Sequence, residues 1–195
     1  SAGEPIETNI FQNVETTNAR IYISGCNFKP LSFKNLKTTT SLFTLNEVEN
    51  LPSFENLTEV SGDLIISRLK DVEINSFNRL KNIGGKLSID NQGRLEVLKG
   101  FNKLEEVTFI DIPKKGIRVI DGFNGLKSRF NLYFDSFPDL EVFKGFNALE
   151  SVKRLTFKGN RKLQTIAGFE NLTELEYLEI TGNTELVSIP SFNKV

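Results

Sequence analysis

Apolar residues fall at fixed distances behind a recurring phenylalanine. One repeat starts at Phe146 and continues through Leu149, Val152, Leu155, Phe157, Leu163 and Ile166. The next starts at Phe169 and continues through Leu172, Leu175, Leu178, Ile180, Leu186 and Ile189. The offsets from the phenylalanine are 3, 6, 9, 11, 17 and 20. The pair at 9 and 11 has period two, the mark of a short strand buried on one face. It predicts strands at 21–23, 43–45, 64–66, 87–89, 110–112, 132–134, 155–157 and 178–180. In the first four repeats the pair lies one residue later, at 10 and 12. Gly62 and Gly84-Gly85 stand just before the strand, where glycine tolerates the backbone angles an extra residue needs.

The phenylalanine itself recurs at positions 11, 33, 54, 77, 101, 123, 146, 169 and 192, with gaps of 22, 21, 23, 24, 22, 23, 23 and 23 residues. Self-similarity at this period signals a solenoid, in which each coil buries its apolar face only by stacking on its neighbours. The expected fold is a β-rich repeat solenoid, a parallel β-sheet stacked from about eight coils of 21–24 residues, with short or no helices. Residues 11–195 form a single solenoid, and the polar residues 1–10 a cap or tether. Gly or Ser precedes most of the phenylalanines and is read as the corner, with Phe as the first core residue of the next coil. Stacked rings about 5 Å apart, the spacing of paired strands, would form a continuous spine. Asn160 and Asn183 follow their strands at offset 14 and are placed to turn inward and bond backbone groups left over at the corner. Cys26 and Phe137 hold the equivalent place in other coils.

Two stretches carry a family resemblance. Phe54-Glu55-Asn56-Leu57-Thr58-Glu59-Val60-Ser61-Gly62-Asp63-Leu64-Ile65-Ile66 is one, and Phe77-Asn78-Arg79-Leu80 to Ile83-Gly84-Gly85-Lys86-Leu87-Ser88-Ile89 is the other. Their order of Leu, Val or Ile, Gly and a Leu-x-Ile strand resembles the leucine-rich-repeat superfamily, most closely its receptor L-domain variety. The resemblance covers about residues 11–195. It implies an exported, extracellular or cell-surface module that binds or adheres, with any lipid or wall anchor outside this sequence. The chain departs from the animal receptor forms in lacking their cysteines. The segments after the asparagines are too short for a full helix, which leaves at most single helical turns near Phe-x-x-Leu.

Composition narrows the function classes. Lys and Arg number 24 against 25 Asp and Glu, well mixed, so no basic stripe meets a nucleic-acid backbone. No apolar run approaches the roughly 20 residues of a membrane span. One cysteine cannot close an internal disulfide. The sequons Asn56-Leu57-Thr58 and Asn171-Leu172-Thr173 share one repeat slot and read as repeat consensus. The chain stops four residues into a further repeat, so either Phe192 and Val195 close the stack or the chain continues.

Chemistry is thinly represented. Histidine is absent, which removes the commonest general base and metal ligand, and no cofactor is expected. Asp111 and Asp135, in neighbouring coils, are the pair to weigh as glycosidase carboxylates; a solvated charged face accounts for them as well. One residue per coil points outward between the buried strand positions: Tyr22, Thr44, Ile65, Ser88, Asp111, Tyr133, Thr156 and Glu179. The rank before the buried pair includes Arg20, Leu42, Phe109, Asn131, Arg154 and Tyr177. Tyrosine and arginine favour recognition surfaces. The expected partner-binding face is Tyr22, Phe109, Asp111, Asn131, Tyr133, Arg154 and Tyr177, with those from Phe109 onward in adjacent coils forming one patch. The expected role is non-enzymatic recognition of a protein or glycan. A structural or spacer domain is the alternative, and a carbohydrate-active β-solenoid enzyme the less favoured one.

Overall fold

A computed structural model describes residues 13–27, 33–90, 92–127 and 131–195. Phe11 and the expected cap at residues 1–10 lie outside them. The described chain is a parallel β-solenoid of about seven turns without helices. The period-two pairs form strands as expected, for example Ile21–Ser24, Phe43–Asn46, Leu64–Ser67 and Leu132–Asp135. Every described ladder is parallel and in step with the repeat. Phe43 pairs with Leu64, Leu64 with Leu87, and Leu155 with Leu178.

A second sheet closes the other side of each coil. Its strands Glu73–Ile74, Val97–Gly100, Val119–Gly122, Val142–Gly145 and Thr165–Gly168 pair in sequence order. The period-two reading did not place it. Each of its strands carries one fully buried apolar residue (Ile74, Leu98, Ile120, Phe143 or Ile166) and most end on glycine, so no run of large residues alternates.

Between the two sheets the phenylalanines stack. Ring centroids are 5.1 Å apart for Phe33 and Phe54, 5.0 Å for Phe54 and Phe77, 5.1 Å for Phe77 and Phe101, and 5.6 Å for Phe101 and Phe123. The spine continues through Phe146 and Phe169 to Phe192. Burial of each ring is worth roughly 1.5–3 kcal/mol, and offset stacking adds to it. After each described phenylalanine up to Phe169 the main-chain N–H of the leucine three residues on donates to the phenylalanine carbonyl, as in Leu57 to Phe54 and Leu149 to Phe146. These are single turns that do not extend into helix.

At the glycine corners both residues of the Gly-Phe pair take unusual angles: φ is +90° at Gly100, +137° at Gly145 and +108° at Gly168, and the phenylalanine itself is left-handed, with φ +51° at Phe101, +61° at Phe123, +59° at Phe146 and +63° at Phe169. Such a conformation costs a non-glycine residue about 1–2 kcal/mol, and burial of the ring offsets it. Gly100, Gly122, Gly145 and Gly168 stand in register, and a Cβ on Gly145 would collide with the carbonyl oxygen of Gly122. Gly62, Gly84 and Gly85 act through space alone. None has a positive φ, and a Cβ on Gly62 would lie 2.7 Å from the main-chain carbon of Ser41.

The first sheet is not continuous. Among the described residues, strand Glu106–Asp111 pairs only with Asn82–Asp90, and Leu132–Asp135 only with Ser151–Lys158. The sheet therefore divides into eight described strands before the break and three after it. The second sheet runs unbroken through the same coils. At the slot six residues after the phenylalanine, other coils carry Val60, Ile83, Val107, Val152 and Leu175, whereas the coil of Phe123 carries Arg129. At the break the core opens: Ile110 and Ile112 are only partly buried, while their counterparts Leu87 and Ile89 are enclosed.

Candidate recognition face

The outward ranks are in the predicted register. Tyr22 pairs with Thr44, Thr44 with Ile65, Ile65 with Ser88 and Ser88 with Asp111. Beyond the break Tyr133 pairs with Thr156 and Thr156 with Glu179. Large side chains on this face are open to solvent: Tyr22 is 65% exposed, Phe109 60%, Tyr133 55% and Tyr177 42%. Two members of the rank behave otherwise. Thr44 and Thr156 are buried, because larger neighbours in the adjoining coils cover them. The Thr156 hydroxyl is left without a hydrogen-bond partner in its place between Tyr133 and Glu179.

Four of the expected residues come together. Asn131, Tyr133, Arg154 and Tyr177 line one shallow depression with Lys153 and Glu176. The guanidinium carbon of Arg154 sits 4.1 Å from the centroid of the Tyr177 ring, a cation–π contact between neighbouring coils. The Tyr177 hydroxyl donates to Glu179 at 3.4 Å. Glu179 also pairs with Lys158.

Phe109 and Asp111 stand across the break. They line a cleft of about 190 Å³ whose floor includes Ile110, Ile112, Phe123, Phe134 and Phe137 and whose far wall is Asn131 and Tyr133. Cleft and depression thus share Asn131 and Tyr133. Tyr22 lies apart, with strands Phe43–Asn46, Leu64–Ser67 and Asn82–Asp90 between its own strand and that of Phe109.

Some basic side chains reach acids in the neighbouring coil, among them Arg68 to Glu47, Lys70 to Glu49, Lys127 to Glu105 and Lys162 to Asp139. Arg118 lies between Glu96 and Glu141, with bonds of 3.0 and 3.1 Å to the latter. The Arg118 guanidinium, as hydrogen-bond donor first and as charge second, holds Glu141 below the usual carboxylate range. Lys162 and the Gly116 N–H lower Asp139, and Lys127 lowers Glu105, for the same reason. Lys153 and Arg154, like several other cations, form no ion pair among the described residues. Sequence reasoning placed Arg154 on the face but missed Lys153; its signal was a Lys-Arg doublet on the outward side of a strand.

The two carboxylates weighed for catalysis stand on strands that do not pair with each other among the described residues. Asp111 lines the cleft, whereas Asp135 pairs with Lys158 in register on the far side of the break and accepts from the Ser136 hydroxyl. Among the described residues no group of three or more Cys, Asp or Glu is arranged to hold a metal ion. No described helix is long and apolar enough to cross a membrane.

The sequon asparagines serve the stack. Asn56 donates to the Lys34 carbonyl at 2.8 Å and Asn171 to the Asn147 carbonyl at 2.9 Å. No family model matches this chain, and neither characterised proteins nor solved structures include one similar to it.

Proposed function

We propose that this chain is a non-enzymatic recognition module that binds a protein or glycan through the outward face of its last coils. The observation that carries the reading is the coincidence of three features in one place: exposed Tyr133 and Tyr177, the charged side chains Lys153, Arg154 and Glu176 around them, and an open cleft beside them. Aromatic rings with polar tips give contact area at low entropic cost, and a guanidinium stacked on a ring is preordered for hydrogen bonding. In the same proposal the repeats are of the receptor L-domain kind within the leucine-rich-repeat superfamily, and the module works outside the cell or at its surface.

A spacer role is the second reading. It is favoured by the unbroken phenylalanine spine and by ion pairs that link successive coils, both of which stiffen a rod.

A glycan array and a panel of surface proteins, probed with wild type and with Tyr133→Ala/Tyr177→Ala, test the proposal. A ligand bound by wild type and lost by the variant supports recognition. Ligands bound equally by both, or by neither, contradict it.

A further inference from the structure

We infer that the depression between Tyr133 and Tyr177 is a subsite for a neutral glycan chain of at least two sugar rings. The inference rests on the recognition reading and names the ligand class for it.

The lining offers donors and acceptors together. Asn131 supplies one of each kind, Lys153 and Arg154 donate, Glu176 accepts, and the two phenols do both. A sugar hydroxyl also donates and accepts, so it finds a match at any of them. Charge of both signs is interspersed: Lys153 and Arg154 share the depression with Glu176, and beside it Lys158 pairs with Glu179. Neither an acidic nor a basic ligand meets a field of one opposite sign there.

A second observation lies within the same face. Thr156 is 5% exposed, and its hydroxyl has no hydrogen-bond partner. It stands in register between Tyr133 and Glu179, on the strand that carries Lys153 and Arg154. Buried hydroxyls without a partner are costly and uncommon. Thr39 has a like hydroxyl, but its register partners are Thr17 and Val60, neither of them aromatic. Tyr133 is more than half exposed, and side chains so exposed change rotamer readily. A ligand that turns this ring aside reaches the Thr156 hydroxyl. A sugar hydroxyl supplies the missing partner, whereas an apolar side chain does not.

The rings set the length. Tyr133 and Tyr177 stand on strands two apart, with Ser151–Lys158 between them, about 10 Å by the spacing of paired strands. One sugar ring does not span that distance, and two joined rings do. The C–H groups on the face of a sugar pack on the negative face of an aromatic ring, as the positive edge of a second ring does. Arg154 already covers the Tyr177 ring, so Tyr133 is the open platform and Arg154 the donor beside it.

Isothermal titration calorimetry on the full chain tests the inference. The probes are neutral gluco-, manno- and galacto-oligosaccharides from monosaccharide to hexasaccharide, beside acidic oligogalacturonates and basic chitosan oligomers. A neutral series should bind saturably, more tightly as disaccharide than as monosaccharide, and with little change on adding salt, because no ion pair is screened. Tyr133→Ala should weaken binding about tenfold or more. Thr156→Val removes the hydroxyl at similar shape. It should weaken binding about three- to tenfold, the loss of one hydrogen bond, and melt at or above the wild-type temperature. A preference for acidic or basic sugars, equal binding by Thr156→Val and wild type, or no saturable binding by any sugar would overturn the inference. If every sugar fails but a surface protein is bound by wild type and lost by Tyr133→Ala/Tyr177→Ala, the glycan class falls and the recognition reading stands. If no ligand of either kind is found, both fall.

Discussion

The side-chain carbonyl of Asn160 accepts the main-chain N–H of Phe137 at 2.9 Å, although the two residues lie in different coils. The Asn160 amide also donates to the Phe134 carbonyl at 2.8 Å, and its own main-chain N–H donates to Asn183. Asn183 repeats the motif by donating to the Phe157 carbonyl. One buried side chain therefore satisfies two main-chain groups of the preceding coil.

Asn160→Ala removes both bonds and leaves a buried N–H and a buried carbonyl unpaired. The expected loss is about 2–4 kcal/mol, summing roughly 1–3 kcal/mol for an unsatisfied group with partial relief by water. Asn183→Ala should cost less, because Asn183 is only half-buried. Urea unfolding of the two variants beside wild type measures the difference.

Gly145→Ala should destabilise more than its size suggests. The residue has φ +137°, and its Cβ would meet the Gly122 carbonyl oxygen. A loss of about 2 kcal/mol or more is expected. Gly25→Ala is the control: its φ is +66° but nothing lies within 4 Å of the added Cβ, so about 1 kcal/mol is expected. Thermal melts of both variants separate angle from close approach.

Much of this was legible in the sequence, and the reasons are local. A core phenylalanine must recur if coils stack, so Phe33 to Phe192 announced the spine. Period-two pairs such as Leu155 and Phe157 announced the first sheet. The second sheet stayed hidden because Leu98 and Ile120 stand alone in their strands. The left-handed phenylalanines were masked by the glycines before them. Thr44 and Thr156 do lie in the outward rank, but exposure depends on the size of side chains one coil away. The freedom of Lys153 and Arg154 is a matter of distances that a sequence does not contain.

Acid should loosen the stack. Glu105, Asp139 and Glu141 have folded-state pKa values below the ordinary ones, chiefly through hydrogen bonds from Lys127, Lys162 and Arg118 respectively. A depressed carboxylate contributes stability that is present above its unfolded value, near about 4, and is lost as pH falls through its folded value. The melting temperature should therefore drop below about pH 4. Arg118→Gln/Lys162→Gln should show a shallower drop over the same window, because Glu141 and Asp139 then titrate closer to their ordinary values. A melting series from neutral to acid pH checks both slopes, and equal slopes for wild type and variant would contradict the assignment.

The most direct test of the account separates the face from the fold. Tyr133→Ala/Tyr177→Ala and Phe123→Ala are measured side by side, for thermal stability and for binding to a ligand found with wild type. The account predicts a near-wild-type melt with binding lost for the tyrosine pair, since both rings are substantially exposed. Phe123→Ala should lose about 3–5 kcal/mol of stability, as for a core ring. A tyrosine double variant that binds as wild type does, or one that loses binding only because it unfolds, would contradict the claim that this face is built for recognition.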